Sequence, residues 1–231
     1  MRISLEPSYV LHGRPYRESS LLLEVLSREH GRVGLVARGA RGSRSRWKNV
    51  LQPFRPLLLS WNQRGELGTL TSADQVASPP ALLGEALFCG LYTNELTLRF
   101  LQRSDPHPGL FEKYRALVAE LAAGVEPQPL LRMYEYRLLQ AAGFGLQLEH
   151  ESGSSNPISA EAWYLYVPES GPVRREYDVN RKNDLVSGEA LIALKSGSIE
   201  DQHLAELKAL MRRLIRFNLG DKPLNSQALF Y

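Results

Sequence analysis

Ser20-Leu21-Leu22-Leu23-Glu24-Val25-Leu26-Ser27-Arg28-Glu29-His30-Gly31-Arg32-Val33-Gly34-Leu35-Val36-Ala37 reads as two short strands joined by a turn. The first run is almost continuously apolar, Glu29-His30-Gly31 has turn chemistry, and the second run, Arg32 to Arg38, completes a hairpin. Outward from this pair, Tyr9-Val10-Leu11 begins a strand that Pro15 closes or marks as an edge. Pro53 to Trp61 starts a fourth strand, and Glu66 to Thr71 is a fifth, after the turn residues Asn62-Gln63-Arg64-Gly65. Five short strands suit a small closed barrel. The OB-fold is the commonest such barrel among nucleic-acid binders, and an SH3-like barrel fits nearly as well.

Between the third and fourth strands lies Arg38-Gly39-Ala40-Arg41-Gly42-Ser43-Arg44-Ser45-Arg46-Trp47-Lys48, with five basic residues and no acidic one. Arginine heads match phosphate in a planar fork, and glycines let a loop follow an irregular polyanion. Arg38, Arg41, Arg44, Arg46 and Lys48, with Arg32 upstream, are therefore candidate phosphate contacts, and Trp47 is a candidate face for base stacking. Phe54 and Trp61 sit in apolar runs and read as core. Residues 1–79 hold 12 Lys/Arg against 6 Asp/Glu, a balance of +6, whereas the remainder holds 16 against 19, a balance of −3. This asymmetry points to a polyanion-binding module (1–79) joined to a module with another task (80–231).

Pro79-Pro80 punctuates the chain, and helical periodicity follows. Leu83, Leu87, Phe88, Leu91 and Leu98 form one apolar stripe; Phe111 to Leu121 repeats it until Gly124; Leu130 to Ala142 continues it after Pro129. Residues 145–186 lose the period and form an irregular insert, with Trp163 to Val167 a short strand. Helix returns over 187–195 and over 200–219, where Leu204, Leu207, Leu210, Met211, Leu214 and Phe217 align. The class is α+β: an N-terminal five-stranded barrel, then a mostly helical domain.

No arrangement for catalysis stands out. Gly34 to Gly39 has the glycine spacing of a phosphate-binding P-loop, but Ala40 and Arg41 stand where Lys and Ser/Thr are required. The five histidines are scattered without metal-ligand spacing, and Glu85 and Glu95 read as solvated helix faces. Cys89 is the only cysteine, which excludes an internal disulfide and a cysteine-based zinc ribbon; its place on an apolar helix side reads as a buried thiol. No stretch has signal-peptide form or the length of a membrane span, so a cytoplasmic protein with no membrane partner is expected. No metal or other cofactor is expected. Lys208, Arg212, Arg213 and Arg216 read either as a second polyanion contact or as a solvated helix face.

Tyr9 to Ser20 followed by Gly31-Arg32-Val33, then Val36 to Arg41 with Leu51-Gln52-Pro53-Phe54, resembles the opening of the bacterial recombination mediator family RecO. The resemblance continues through Gly90 to Leu96 and reaches Leu219-Gly220-Asp221-Lys222-Pro223-Leu224-Asn225-Ser226, nearly the full length. It implies an N-terminal OB-fold and a helical C-terminal domain. It also implies a non-enzymatic protein that binds single- and double-stranded DNA, anneals complementary strands and acts with RecR to load RecA onto DNA coated by single-strand-binding protein (SSB), which makes it nucleoid-associated. Many members carry a four-cysteine zinc module. The matching region here, Gly145 to Asp178, has no cysteine and resembles the zinc-free branch. Arg132 matches a basic position of the family's helical domain and, beside Leu131 and Tyr136, is the implied dock for the acidic C-terminal tail of SSB. The reading from another class is an RNA- or ribosome-associated OB-fold assembly factor.

Overall fold

Two bulges let one long strand do the work of two. In the computed structural model, which describes residues 1–47, 49–76, 81–181, 183–220 and 222–226, β1 runs Arg2–Tyr16. It starts seven residues before the expected Tyr9, because register shifts between Ile3 and Glu6 and between Val10 and His12 bend the strand without ending it. Leu5 takes a left-handed φ of 53° at the first shift, and its N–H is received by the Ser60 hydroxyl. The first part of β1 pairs with β4 (Leu57–Arg64) and the second with β2 (Ser20–Ser27), which closes the sheet. With β3 (Gly31–Ala37) and β5 (Leu67–Gln75) the barrel order is β1-β2-β3-β5-β4, antiparallel except for β3 and β5. This is the strand order of an OB-fold. Leu23, Val25, Leu35, Leu59 and Trp61 fill the interior, so the core reading of Trp61 holds.

Two compact units emerge, Met1–Val125 with Asn225–Tyr231, and Glu126–Leu224. In the first, α1 (Gly84–Phe100) and α2 (Pro108–Ala122) pack on the barrel. Buried Asn94 donates from Nδ2 to the Leu11 carbonyl at 2.9 Å and accepts the Tyr114 hydroxyl at 2.7 Å. The Tyr9 ring lies 5.6 Å from Phe111 and 5.0 Å from Tyr114. The buried face of α1 is therefore not the expected leucine stripe: Leu83 is exposed, whereas Thr93, Asn94 and Thr97 are buried with their polar groups bonded. Cys89 is a buried thiol. Gly31, with φ of +66°, closes the β2–β3 turn where a Cβ would stand 2.1 Å from the Asp105 carbonyl oxygen.

The second unit contains α3 (Pro127–Ala141), an antiparallel sheet of β6 (Trp163–Val167), β7 (Gly171–Arg175) and β8 (Leu185–Ser187) in the order β7-β6-β8, then α4 (Gly188–Ser196) and α5 (Leu204–Leu219). The expected irregular insert thus carries two strands that its sequence pattern did not show. Buried tyrosines hold it: Tyr164 accepts the Ser159 N–H and donates to Glu151, and Tyr166 accepts the Gln147 N–H at 2.7 Å. Burial pushes the Tyr166 phenol up to about 12. Glu206 of α5 receives the Ser187 N–H and hydroxyl, while the same hydroxyl caps α4 through Ala190. Phe217, expected on the apolar stripe of α5, is 54% exposed.

Candidate nucleic-acid interface

The segment joining β3 to β4 is folded down at several points. Gly39, with φ of +69°, turns the chain, and the Gly42 and Ser45 N–H groups bond back to Gly39 and Gly42 carbonyls at 3.2 and 3.0 Å. Ala40, Trp47 and Leu51 enter the barrel core. Trp47 is 7% exposed, its indole N–H donates to the Arg38 carbonyl at 3.2 Å, and the Arg46 guanidinium covers the ring at 4.2 Å. The expected stacking face is therefore already occupied. Burial won because an open barrel end needs an apolar plug, and the one ring within the basic stretch 38–48 supplies it.

With the ring turned in, the arginines are turned out. Arg38, Arg41, Arg44 and Arg46 are all exposed. Arg46 donates to the Thr71 carbonyl at 3.1 Å. Arg41 binds the tip of the β1–β2 hairpin, through its N–H to the Ser19 carbonyl at 2.9 Å and through Nη1 to the carbonyls of Arg17 and Glu18 at 3.3 and 3.2 Å. These acceptors are neutral carbonyls, so both guanidinium charges stay uncompensated. Arg38 and Arg44 have no side-chain partner among the described residues. Lys48 lies outside the described residues.

Arg32 departs from its expected role. Its guanidinium is half-buried against Glu24 at 3.3 Å, with Arg103 on the same carboxylate. Burial lowers its pKa and Glu24 opposes this, so its charge is matched within the fold. The hairpin that Arg41 ties down adds residues that the sequence reading passed over. Arg14 and Arg17 are exposed, and the Arg17 guanidinium lies 5.3 Å over the half-buried Tyr16 ring. Arg14-Pro15-Tyr16-Arg17 has the same cation–aromatic signature as the loop, which was the available signal. Glu18 is the one acid of this hairpin tip.

The implied tail dock is closed. Leu131, Arg132 and Tyr136 are all buried on α3. Arg132 donates from Nη2 to Glu135 at 2.6 Å, with side-chain exposures of 5% and 2%. Its Nε and Nη1 lack hydrogen-bond partners among the described residues. The Arg137 guanidinium covers the Tyr136 ring at 4.9 Å.

The family described as Recombination protein O N terminal matches residues 1–79, and that described as Recombination protein O C terminal matches residues 84–228. The chain is 48% identical to the DNA repair protein RecO of Nitrosococcus oceani over 230 residues, 99% of this chain and 93% of that protein. It is 42% identical to the DNA repair protein RecO of Azoarcus sp. over 98% of this chain and 94% of that protein. The DNA repair protein RecO of Coxiella burnetii is 40% identical over 100% of this chain and 99% of its own length. The chain belongs to the RecO family. Its membership puts it among DNA repair and recombination proteins, with the N-terminal barrel as the OB-fold domain of that family. The residues of this chain do not fit the four-cysteine zinc module that the resemblance implies for other members. The segment 145–178 has no cysteine, and among the described residues no cluster of three His, Cys, Asp or Glu is arranged to hold a metal. Among the described residues no helix is long and apolar enough to cross a membrane.

Proposed function

We propose that this chain is a non-enzymatic recombination mediator of the cytoplasm and nucleoid. It binds single- and double-stranded DNA without sequence readout, anneals complementary strands and, with RecR, helps load RecA onto SSB-coated DNA. The observation that carries the reading is the set of outward arginines in the loop after β3 of the OB barrel, where Arg38, Arg41, Arg44 and Arg46 have no acidic partner among the described residues. A surface of this kind grips phosphate without reading bases and screens the repulsion between two like-charged strands. Lys48 belongs to the same set in sequence, and Arg14, Arg17 and Tyr16 extend it. Tyr16, which is only half-buried, rather than the buried Trp47, is the ring placed to stack a base. On this reading the primary DNA contact lies on the barrel domain, 1–79, and the helical domain, 80–231, holds the protein partners.

The SSB tail ends in a carboxylate, and the two guanidinium nitrogens of Arg132 that have no partner among the described residues are donors of the right kind for it. Since Arg132 and Leu131 are covered, tail binding on this reading accompanies an opening beside α3.

The test is annealing of complementary oligonucleotides precoated with SSB, full-length or lacking its acidic tail. Fast annealing that needs the tail is the expected result. Annealing indifferent to the tail removes the SSB part of the proposal. Absence of annealing, with tighter binding to structured RNA, overturns it in favour of an RNA-assembly role.

A further inference from the structure

One face of α5 has no task in the second unit. The helix buries Leu207, Leu210, Met211 and Leu214, and turns Lys208, Arg212 and Arg216 to solvent. These three stand at i, i+4 and i+8, on one ridge, spaced about 6 Å apart along the axis. None has a hydrogen bond or ion pair among the described residues. Glu206, the only acid of the helix, is committed to the N–H and hydroxyl of Ser187 at 2.6 and 2.8 Å. Arg213 is committed too: it is half-buried and donates to the Asn183 carbonyl.

Fold stability does not account for the ridge. Like charges one turn apart oppose helix formation. The helix dipole favours cations only in the last turn, which holds Arg216 but neither Lys208 nor Arg212. A regular row of cations suits a regular polyanion, whereas a peptide tail with an apolar end needs a groove, and beside Lys208 and Arg212 on the outer side stand only the small Ala205 and Ala209. Phe217, beside Arg216, adds an exposed ring at the end of the row.

We propose that the Lys208–Arg212–Arg216 ridge is a second nucleic-acid contact, which takes the phosphate backbone of a strand other than the one on the barrel loop. The inference rests on the annealing function proposed above and supplies what that function needs, a place for the second strand.

The experiment uses the full chain on beads carrying one thymidine oligonucleotide, and measures capture of a second, labelled, non-complementary strand. The variant Lys208→Glu/Arg212→Glu/Arg216→Glu keeps good helix formers on an exposed face, and Lys208→Arg/Arg212→Lys/Arg216→Lys conserves the charge. Charge reversal is expected to leave first-strand affinity within about twofold and to reduce second-strand capture about tenfold, while the charge-conserving variant behaves as the parent. Capture untouched by reversal overturns the proposal. Equal loss of both strands also overturns it, because the ridge would then be part of the primary site. A parent chain that binds no first strand sinks the DNA-binding reading itself, and is told apart by the bead-binding step alone.

Discussion

Trp47 contacts the barrel interior on one side and Arg46 on the other, and its N–H satisfies the Arg38 carbonyl. Trp47→Ala removes a buried ring whose loss costs about 3–5 kcal/mol in well-packed sites. The midpoint of urea unfolding should fall accordingly, and Trp47→Phe should recover most of it. If Trp47→Ala unfolds like the parent and only weakens strand binding, the ring is a stacking platform after all. The Arg132–Glu135 pair poses the same question for charge. Arg132→Ala leaves Glu135 buried without this ion pair, a loss of about 3–5 kcal/mol, whereas Arg132→Met/Glu135→Leu leaves neither charge of the pair buried alone and should cost less. That double variant therefore keeps the fold and isolates the SSB tail contact; retention of tail-dependent annealing in it would remove Arg132 from the dock. Residue types were legible in sequence, but their orientation was not. A tryptophan among arginines reads as a nucleic-acid contact until the barrel's need for a plug is known, and Arg132 reads as a surface cation until α3 is placed.

Elements with a strong period were legible because each can be read from its own residues. The stripes of α2, α3 and α5 gave the helices, and the apolar runs gave β2 to β5. Gly171–Arg175 and Leu185–Ser187 were not legible, since strands this short exist only through pairing with β6. Glu95 was misread for a similar reason. Its carboxylate receives the backbone N–H groups of Asn225 and Ser226 at 2.9 and 2.8 Å, a contact across more than a hundred residues. Burial works to raise its pKa, but the Ser226 and Asn225 N–H groups and Arg99 together bring it below the ordinary 4.5. A depressed carboxylate contributes stability above its unfolded pKa and loses it as pH falls through the folded one. Protection of the Asn225 and Ser226 amides from hydrogen exchange should therefore hold at neutral pH and decline below about 4.5. In Glu95→Gln the acid-dependent step should vanish; a step that persists would assign it to another carboxylate.

At the scale of the whole molecule, charge distribution was legible where net charge was not: +3 overall conceals the basic N-terminal third. Folding divides those cations into two kinds. Arg32 is matched to Glu24 and contributes little to an approaching strand, whereas the loop arginines keep their charge outward. Each phosphate contact released from counterions adds about −0.7 to the log–log salt slope for a single strand, so five loop cations give about −3.5. Arg38→Ala/Arg44→Ala removes two contacts that have no partner among the described residues, and should flatten the slope by about 1.4 without lowering the unfolding midpoint. Arg32→Ala should do the reverse, leaving the slope and destabilising the barrel, because it strips Glu24 of one of its two cations. Fluorescence titration of a labelled oligonucleotide across a salt series separates the two. A slope that responds to Arg32 and ignores Arg38 and Arg44 would move the strand off the loop and onto the β2–β3 face.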